Sequence, residues 1–99
     1  MMVMFFMELT YKKPISVVEA ALPLHNQYLD RNYKLGNFIF SGRKDPHNGG
    51  VILANVADLK DLENIYHEDP FFRQGIADYK ILNFTPTKMN DVFAQIPLR

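Results

Sequence analysis

The sequence contains no cysteine. Disulfides, a thiol nucleophile and thiolate metal sites are therefore excluded. It carries no excess of charge either: eleven Lys and Arg stand against eleven Asp and Glu. Without a broad positive field, and with no interleaving of basic and aromatic side chains, no nucleic-acid partner is expected. No apolar run approaches the roughly 20 residues of a membrane span. The opening Met1-Met2-Val3-Met4-Phe5-Phe6-Met7 is cut short by Glu8 and lacks the basic flank of a signal peptide. No membrane partner is expected, and a small domain that needs no disulfide suits the cytoplasm. The clustered methionines leave the translation start open.

Chemical motifs are also scarce. His25, His47 and His67 show neither H-x-H nor H-E-x-x-H spacing, and no carboxylate cluster accompanies them, so no metal site is expected. Gly49-Gly50 suits a hairpin turn better than a phosphate loop. There is no G-x-S-x-G elbow, which leaves a Ser-His-Asp nucleophilic triad without its usual signature. No repeat or linker interrupts the chain. The reading is one domain over residues 1–99, with no cofactor.

What is present is ordinary globular material. Apolar residues make up 47% and charged residues 22% of the 99. A chain of this length buries about two-thirds of its unfolded surface, so its core is modest. Residues 2–11, rich in Phe, Val and Met, predict a buried first strand. Pro14 punctuates the chain. Ser16-Val17-Val18-Glu19 matches a capping box, and a helix should follow. Ile15, Val18, Leu22, His25 and Leu29 recur at intervals of three and four and draw one helical face. Pro23 conflicts with that helix and predicts a bend or restart just before His25. Gly36 should end it.

Residues 37–42 predict a second strand and 51–56 a third. The loop between them, Arg43 to Gly50, is turn chemistry throughout. Asp58 can cap a second helix, with Asp61 in its first turn and Leu59, Leu62, Ile65 and Tyr66 on its apolar face. Asp69-Pro70 ends that helix, and Pro70–Gln74 can add one more turn, stopped by Gly75. Residues 76–84 predict the fourth strand, and Pro86 opens a short tail.

The order is βαββαβ, an α+β ferredoxin-like pattern whose helices cover one face of an antiparallel sheet. Yet Phe38-Ile39-Phe40 and Val51-Ile52-Leu53 are apolar at successive positions, hence on both faces. The second face needs a cover. A second copy of the same sheet is the simplest, which predicts a homodimer, with the tail as the alternative partial cover.

Several segments resemble the YciI-like (YCII-related) family of dimeric α+β barrel proteins. They are Leu24-His25-Asn26-Gln27-Tyr28-Leu29-Asp30, then Phe40-Ser41-Gly42 with Gly49-Gly50-Val51-Ile52-Leu53-Ala54. Asp69-Pro70-Phe71, Gly75-Ile76-Ala77-Asp78-Tyr79 and Phe84-Thr85-Pro86-Thr87-Lys88 complete the set. The resemblance covers roughly residues 4–88. It implies a pocket in each subunit and a His-Asp active-site pair at His25 and Asp69, with Ser41 and Gly42 near the pocket. The chain departs from the pattern at Pro23, inside the first helix, and at Arg43, where the family often has proline.

Each candidate has a plain reading beside a functional one. His25 on an apolar stripe is either a core histidine bonded to a carbonyl or an acid/base group whose unperturbed pKa of about 6.5 suits neutral pH. Asp69 before Pro70 is an N-cap, which does not prevent it from orienting His25, because a carboxylate has several acceptor sites. Ser41 either donates to a substrate oxygen or satisfies local backbone. Arg43, Lys44 and His47 either draw an anionic substrate to the pocket or form a solvated loop. Phe71 and Phe72 pack the core or wall the pocket, and Tyr28 and Tyr33 serve either role.

Two classes of function follow. One is a cofactor-free enzyme in which His25 is the general acid/base and Asp69 orients it. Its substrate is a small anionic or aromatic organic molecule, and its reaction an elimination, isomerisation or hydrolysis. The other is a non-catalytic binding or regulatory module using the same pocket, since the fold hosts both. Cofactor-free oxygenation is a third reading, from analogy with other dimeric α+β barrels.

Overall fold

A computed structural model describes residues 3–99. The elements are β1 (Met4–Tyr11), α1 (Ile15–Lys34), β2 (Phe38–Arg43), β3 (Gly49–Ala54), α2 (Leu59–Tyr66), α3 (Pro70–Arg73) and β4 (Ala77–Phe84), followed by a single 3₁₀ turn at Asp91–Phe93. Met2, expected in the first strand, lies outside the described residues. The four strands form one antiparallel sheet in the order β2-β3-β1-β4. This is the α+β ferredoxin-like arrangement expected from the element order. Among the described residues no helix is long and apolar enough to cross a membrane.

Strand alternation decides which side chains reach the helices. Phe5, Met7 and Leu9 of β1 point to the helix side and are buried there with Ile52 and Ala54 of β3. Phe38 of β2, Val18 and Tyr28 of α1, Leu62 of α2 and Phe71 of α3 close the same core. Burying a side chain of this size contributes about 1.5–3 kcal/mol. One glycine is required by the sheet itself: a side chain at Gly49 would overlap the backbone carbonyl oxygen of Leu9 on the paired strand.

The helix α1 corrects three expectations. It runs unbroken for 20 residues through Pro23, with no restart. Pro23 faces solvent, so water can satisfy the carbonyl whose helical bond is lost, while the buried side of the helix holds it in place. No capping box forms: the cap position is Pro14, whose carbonyl accepts from the backbone N–H of Val17 and Val18, and Ser16 is already inside the helix. The buried stripe is Val18, Ala21, His25, Tyr28 and Asn32. It is turned slightly from the predicted face, leaving Leu22 and Leu29 half-buried and Ile15 exposed. On α2, Leu62 is buried while Leu59 is exposed. Its cap is as expected, the Asp58 side chain accepting from Asp61 N at 2.9 Å. Gly36 ends α1 region with φ 76°, a conformation that favours glycine.

The far side of the sheet carries Met4, Phe6, Leu53 and Leu82 among its apolar side chains, by the same alternation. The tail turns back across part of it. Phe93, Ile96 and Leu98 line a cavity of about 430 Å³ with Met4, Phe40 and Phe84. The tail end is fastened by Asn55, which donates to Pro97 O (3.2 Å) and accepts from Arg99 N (3.0 Å). Met4 is buried, yet Phe40, Leu82 and Phe84 stay exposed.

Candidate active site

The site is assembled where α1, α3 and the mouth of the β2–β3 hairpin meet. Asp69 caps α3: its Oδ1 accepts the backbone N–H of Phe71 at 3.0 Å, and Pro70 occupies the first helical position, where its missing N–H costs nothing. The same oxygen lies 2.8 Å from Nδ1 of His25 on α1. The other oxygen, Oδ2, accepts the hydroxyl of Tyr79 on β4 at 2.5 Å. The carboxylate is completely buried and takes these three bonds from three elements. Capping and holding His25 are thus one act by one side chain.

An ionised carboxylate only accepts, so His25 Nδ1 carries the proton and donates it. The neutral ring then has its lone pair on Nε2. Nε2 has no protein partner among the described residues, yet it is not a sealed, unsatisfied atom. His25 lines a cavity of about 260 Å³. The ring is braced from one side by Phe71, stacked at 3.9 Å between centroids and 7° between planes. Phe71 is itself buried, which locks the imidazole in orientation.

Ser41, Gly42, Arg43 and Phe71 all line this cavity with His25. The Ser41 hydroxyl is already engaged, at 2.6 Å from the Tyr33 hydroxyl. Lys44 turns away: its Nζ is held by Glu8 Oε2 (3.0 Å) and Thr10 Oγ1 (2.9 Å). His67 and Phe72 stack on each other beside Tyr66, outside the cavity lining. Among the described residues no three His, Asp or Glu side chains come together as a metal-ligand set.

Two residues of the site were not anticipated. Tyr79 completes the Asp69 shell, and Tyr11 forms part of the cavity wall. A signal existed for both: Tyr11 continues the Phe5-Met7-Leu9 alternation, and Tyr79 lies between Ala77 and Ile81 on the same side of β4. Burial raises the Tyr79 phenol above its ordinary pKa, and the charge and hydrogen bond of Asp69 raise it further. Tyr28, also buried and near Asp69, is raised in the same direction, and its hydroxyl donates to Ile65 O at 3.1 Å. Both phenols stay protonated beside the carboxylate.

The family model for the YCII-related domain matches residues 4–85. The chain belongs to the YCII-related family. No curated protein matches its sequence. Among solved structures, this YCII-related chain is similar to 5-chloro-2-hydroxyhydroquinone dehydrochlorinase (TftG) from Burkholderia phenoliruptrix AC1100, solved with 2,5-dihydroxybenzoquinone. The TM-score is 0.74 at 15% identity, over 89% of this chain and 99% of that one. It is also similar to SnoaB, a cofactor-independent oxygenase from Streptomyces nogalater, with a TM-score of 0.51 at 15% identity, over 90% of this chain and 96% of that one. At such identity the likeness is one of fold. The family match ends at residue 85, short of the roughly 4–88 expected from the segments, and the tail beyond it lines the cavity on the far face of the sheet.

Proposed function

We propose that this protein is a small-molecule enzyme that needs no cofactor, in which His25 moves a proton on a substrate held in the 260 Å³ cavity and Asp69 orients the ring. The observation that carries this reading is the buried His25–Asp69 bond of 2.8 Å, on a histidine that lines the cavity and whose Nε2 has no protein partner among the described residues. A histidine kept only for packing has no need of a buried carboxylate, whose removal from water is costly. When Nε2 takes a proton, the ring becomes an imidazolium whose charge faces Asp69, and the pair is stabilised. Returning the proton to another substrate atom completes an isomerisation. Loss of a leaving group instead completes an elimination.

The substrate class is a small hydroxylated or acidic aromatic. The apolar lining residues Leu22, Leu29 and Ile52 suit a ring. The neighbouring fold of the dehydrochlorinase, solved with a dihydroxybenzoquinone, agrees with this class. Ser41, Gly42, Arg43 and Phe71 are the proposed substrate contacts. The protein also acts as a homodimer through the far sheet face, where Phe40, Leu82 and Phe84 remain 45%, 61% and 40% exposed despite the tail.

The test is a thermal-shift screen of phenols, quinols and small organic acids, followed by turnover assays on the hits with wild type and His25→Ala. Turnover should fall by about 10²–10⁴-fold in the variant while binding persists. Undiminished turnover would remove His25 from the mechanism. Binding with no turnover by the wild type favours the non-catalytic module, and oxygen uptake on a bound aromatic favours oxygenation. A native mass of one chain at high concentration would overturn the dimer.

A further inference from the structure

The cavity has an unequal distribution of charge. Among the described residues Arg43 is the one lining residue with a permanent charge, and no carboxylate lines the cavity; Asp69 is buried and bonded to His25. Arg43 also differs from the other arginines. Arg31 pairs with Glu68 at 3.7 Å, Arg73 donates to His67 O, and Arg99 donates to Asn37 and to Leu35 O. Alone of the four, the Arg43 side chain has no hydrogen bond or ion pair among the described residues. Its neighbour Lys44 is neutralised by Glu8 instead.

Two further polar groups stand at that end. The Tyr11 hydroxyl lies 3.3 Å from His47 Nε2, and both residues line the cavity. Arg43 pairs with Gly50 across the hairpin and Gly50 with Leu9, two residues from Tyr11 on the same sheet face, which brings Arg43 and Tyr11 into the lining of one cavity. From here a run of rings leads inward. Tyr11 meets His47 at 5.6 Å and Phe71 at 5.8 Å, both edge-on, and Phe71 stacks on His25. The wall is aromatic from the hairpin loop to the imidazole, with the cation at its outer end.

We infer that Arg43, Tyr11 and His47 form an anion-recognition end of the cavity, selecting planar aromatic carboxylates whose ring extends from there toward His25. A guanidinium offers a planar fork that matches a carboxylate, and an aromatic hydroxyl can donate a further bond to it. This rests on the cavity being the substrate site, as proposed above. It assigns Arg43 as the residue that sets specificity and Tyr11 as a binding residue.

The experiment uses 4-hydroxybenzoate and its neutral counterpart 4-hydroxybenzamide, titrated calorimetrically into the intact protein. Wild type should bind the acid at least about tenfold more tightly than the amide, as expected when a charge-assisted hydrogen bond is lost. Arg43→Gln should bring the acid to the level of the amide. Tyr11→Phe should weaken the acid alone, and Lys44→Gln should change neither. Arg43 is exposed, so its variant should keep the wild-type circular dichroism and melting temperature. Equal binding of acid and amide, failure of the acid to bind wild type, or an acid preference that survives Arg43→Gln would each overturn the inference. His25→Asn separates the two readings: it should abolish turnover yet leave the acid preference intact. A wild type that shows the acid preference but turns over none of the screened compounds would refute the proposed catalysis while supporting the anion-recognition end.

Discussion

His25 and Asp69, 44 positions apart in the chain, meet at 2.8 Å because α1 and the start of α3 are packed against the same side of one sheet. The carboxylate is held from three directions and the imidazole is braced by Phe71, so neither has to be organised by a ligand. This arrangement gives the enzyme reading its concrete form. On that proposed reading, stability and chemistry depend on the same few atoms.

Replacing Asp69 should cost stability as well as turnover. Asp69→Ala removes the α3 cap and leaves the His25 and Tyr79 donors without their partner. A lost cap costs about 1 kcal/mol and each stranded buried donor about 1–3 kcal/mol. A total loss of about 3 kcal/mol or more is expected in urea unfolding. A variant as stable as wild type would show that the network is not under load.

Tyr79 and Tyr28 give the protein an alkaline weakness. Their folded pKa values are raised, by burial first and then by Asp69, above the ordinary value of about 10. The unfolded chain releases these protons first as pH rises, so it binds fewer protons than the folded chain in that range. The contribution is fully present below about pH 10 and is lost progressively above it. Melting temperatures taken from about pH 9 to 11 should fall less steeply for Tyr79→Phe than for wild type. Parallel slopes would count against the raised phenol.

Pro23 should be a stabilising position. It sits on the solvent side of an otherwise continuous helix, so Pro23→Ala restores a helical hydrogen bond. Against the helical gain of about 3 kcal/mol stands the looser unfolded chain, for a net of about 1–3 kcal/mol. Chemical denaturation measures it directly. A loss of stability would mean that the proline shapes α1 in a way the packing requires.

Gly49→Ala should be disruptive although the added group is one methyl. The new Cβ meets the Leu9 carbonyl, which belongs to backbone and cannot rotate away. The β1–β3 pairing must shift near the cavity, at a cost of about 3 kcal/mol or more. Hydrogen exchange should then quicken at Thr10 and Gly50. Wild-type protection there would refute the steric argument.

Strand positions and the αβ order were legible because alternation and turn residues act locally. Each strand lies within about two residues of its expectation, and Asp58 and Asp69 cap the helices they precede. Local rules failed where a competing local option existed. Ser16 had the pattern of a cap, but Pro14 begins the turn two residues earlier. Pro23 was expected to break a helix that tertiary burial keeps whole. The family resemblance, not periodicity, turned attention to His25 and Asp69 as a pair.

The sequence by itself determined the kind of molecule: an α+β chain of the YCII-related family, without thiols, with a histidine on the buried side of its first helix. Only the tertiary structure decided which ring nitrogen is bonded, that Tyr79 completes the carboxylate's shell, and that among the described residues the Arg43 side chain is left unpaired while that of Lys44 is not. The physical reason is reach. Hydrophobic periodicity acts over a few neighbouring residues, whereas each of these bonds joins side chains from separate elements. Such bonds exist only after the sheet register and the helix rotation have been set.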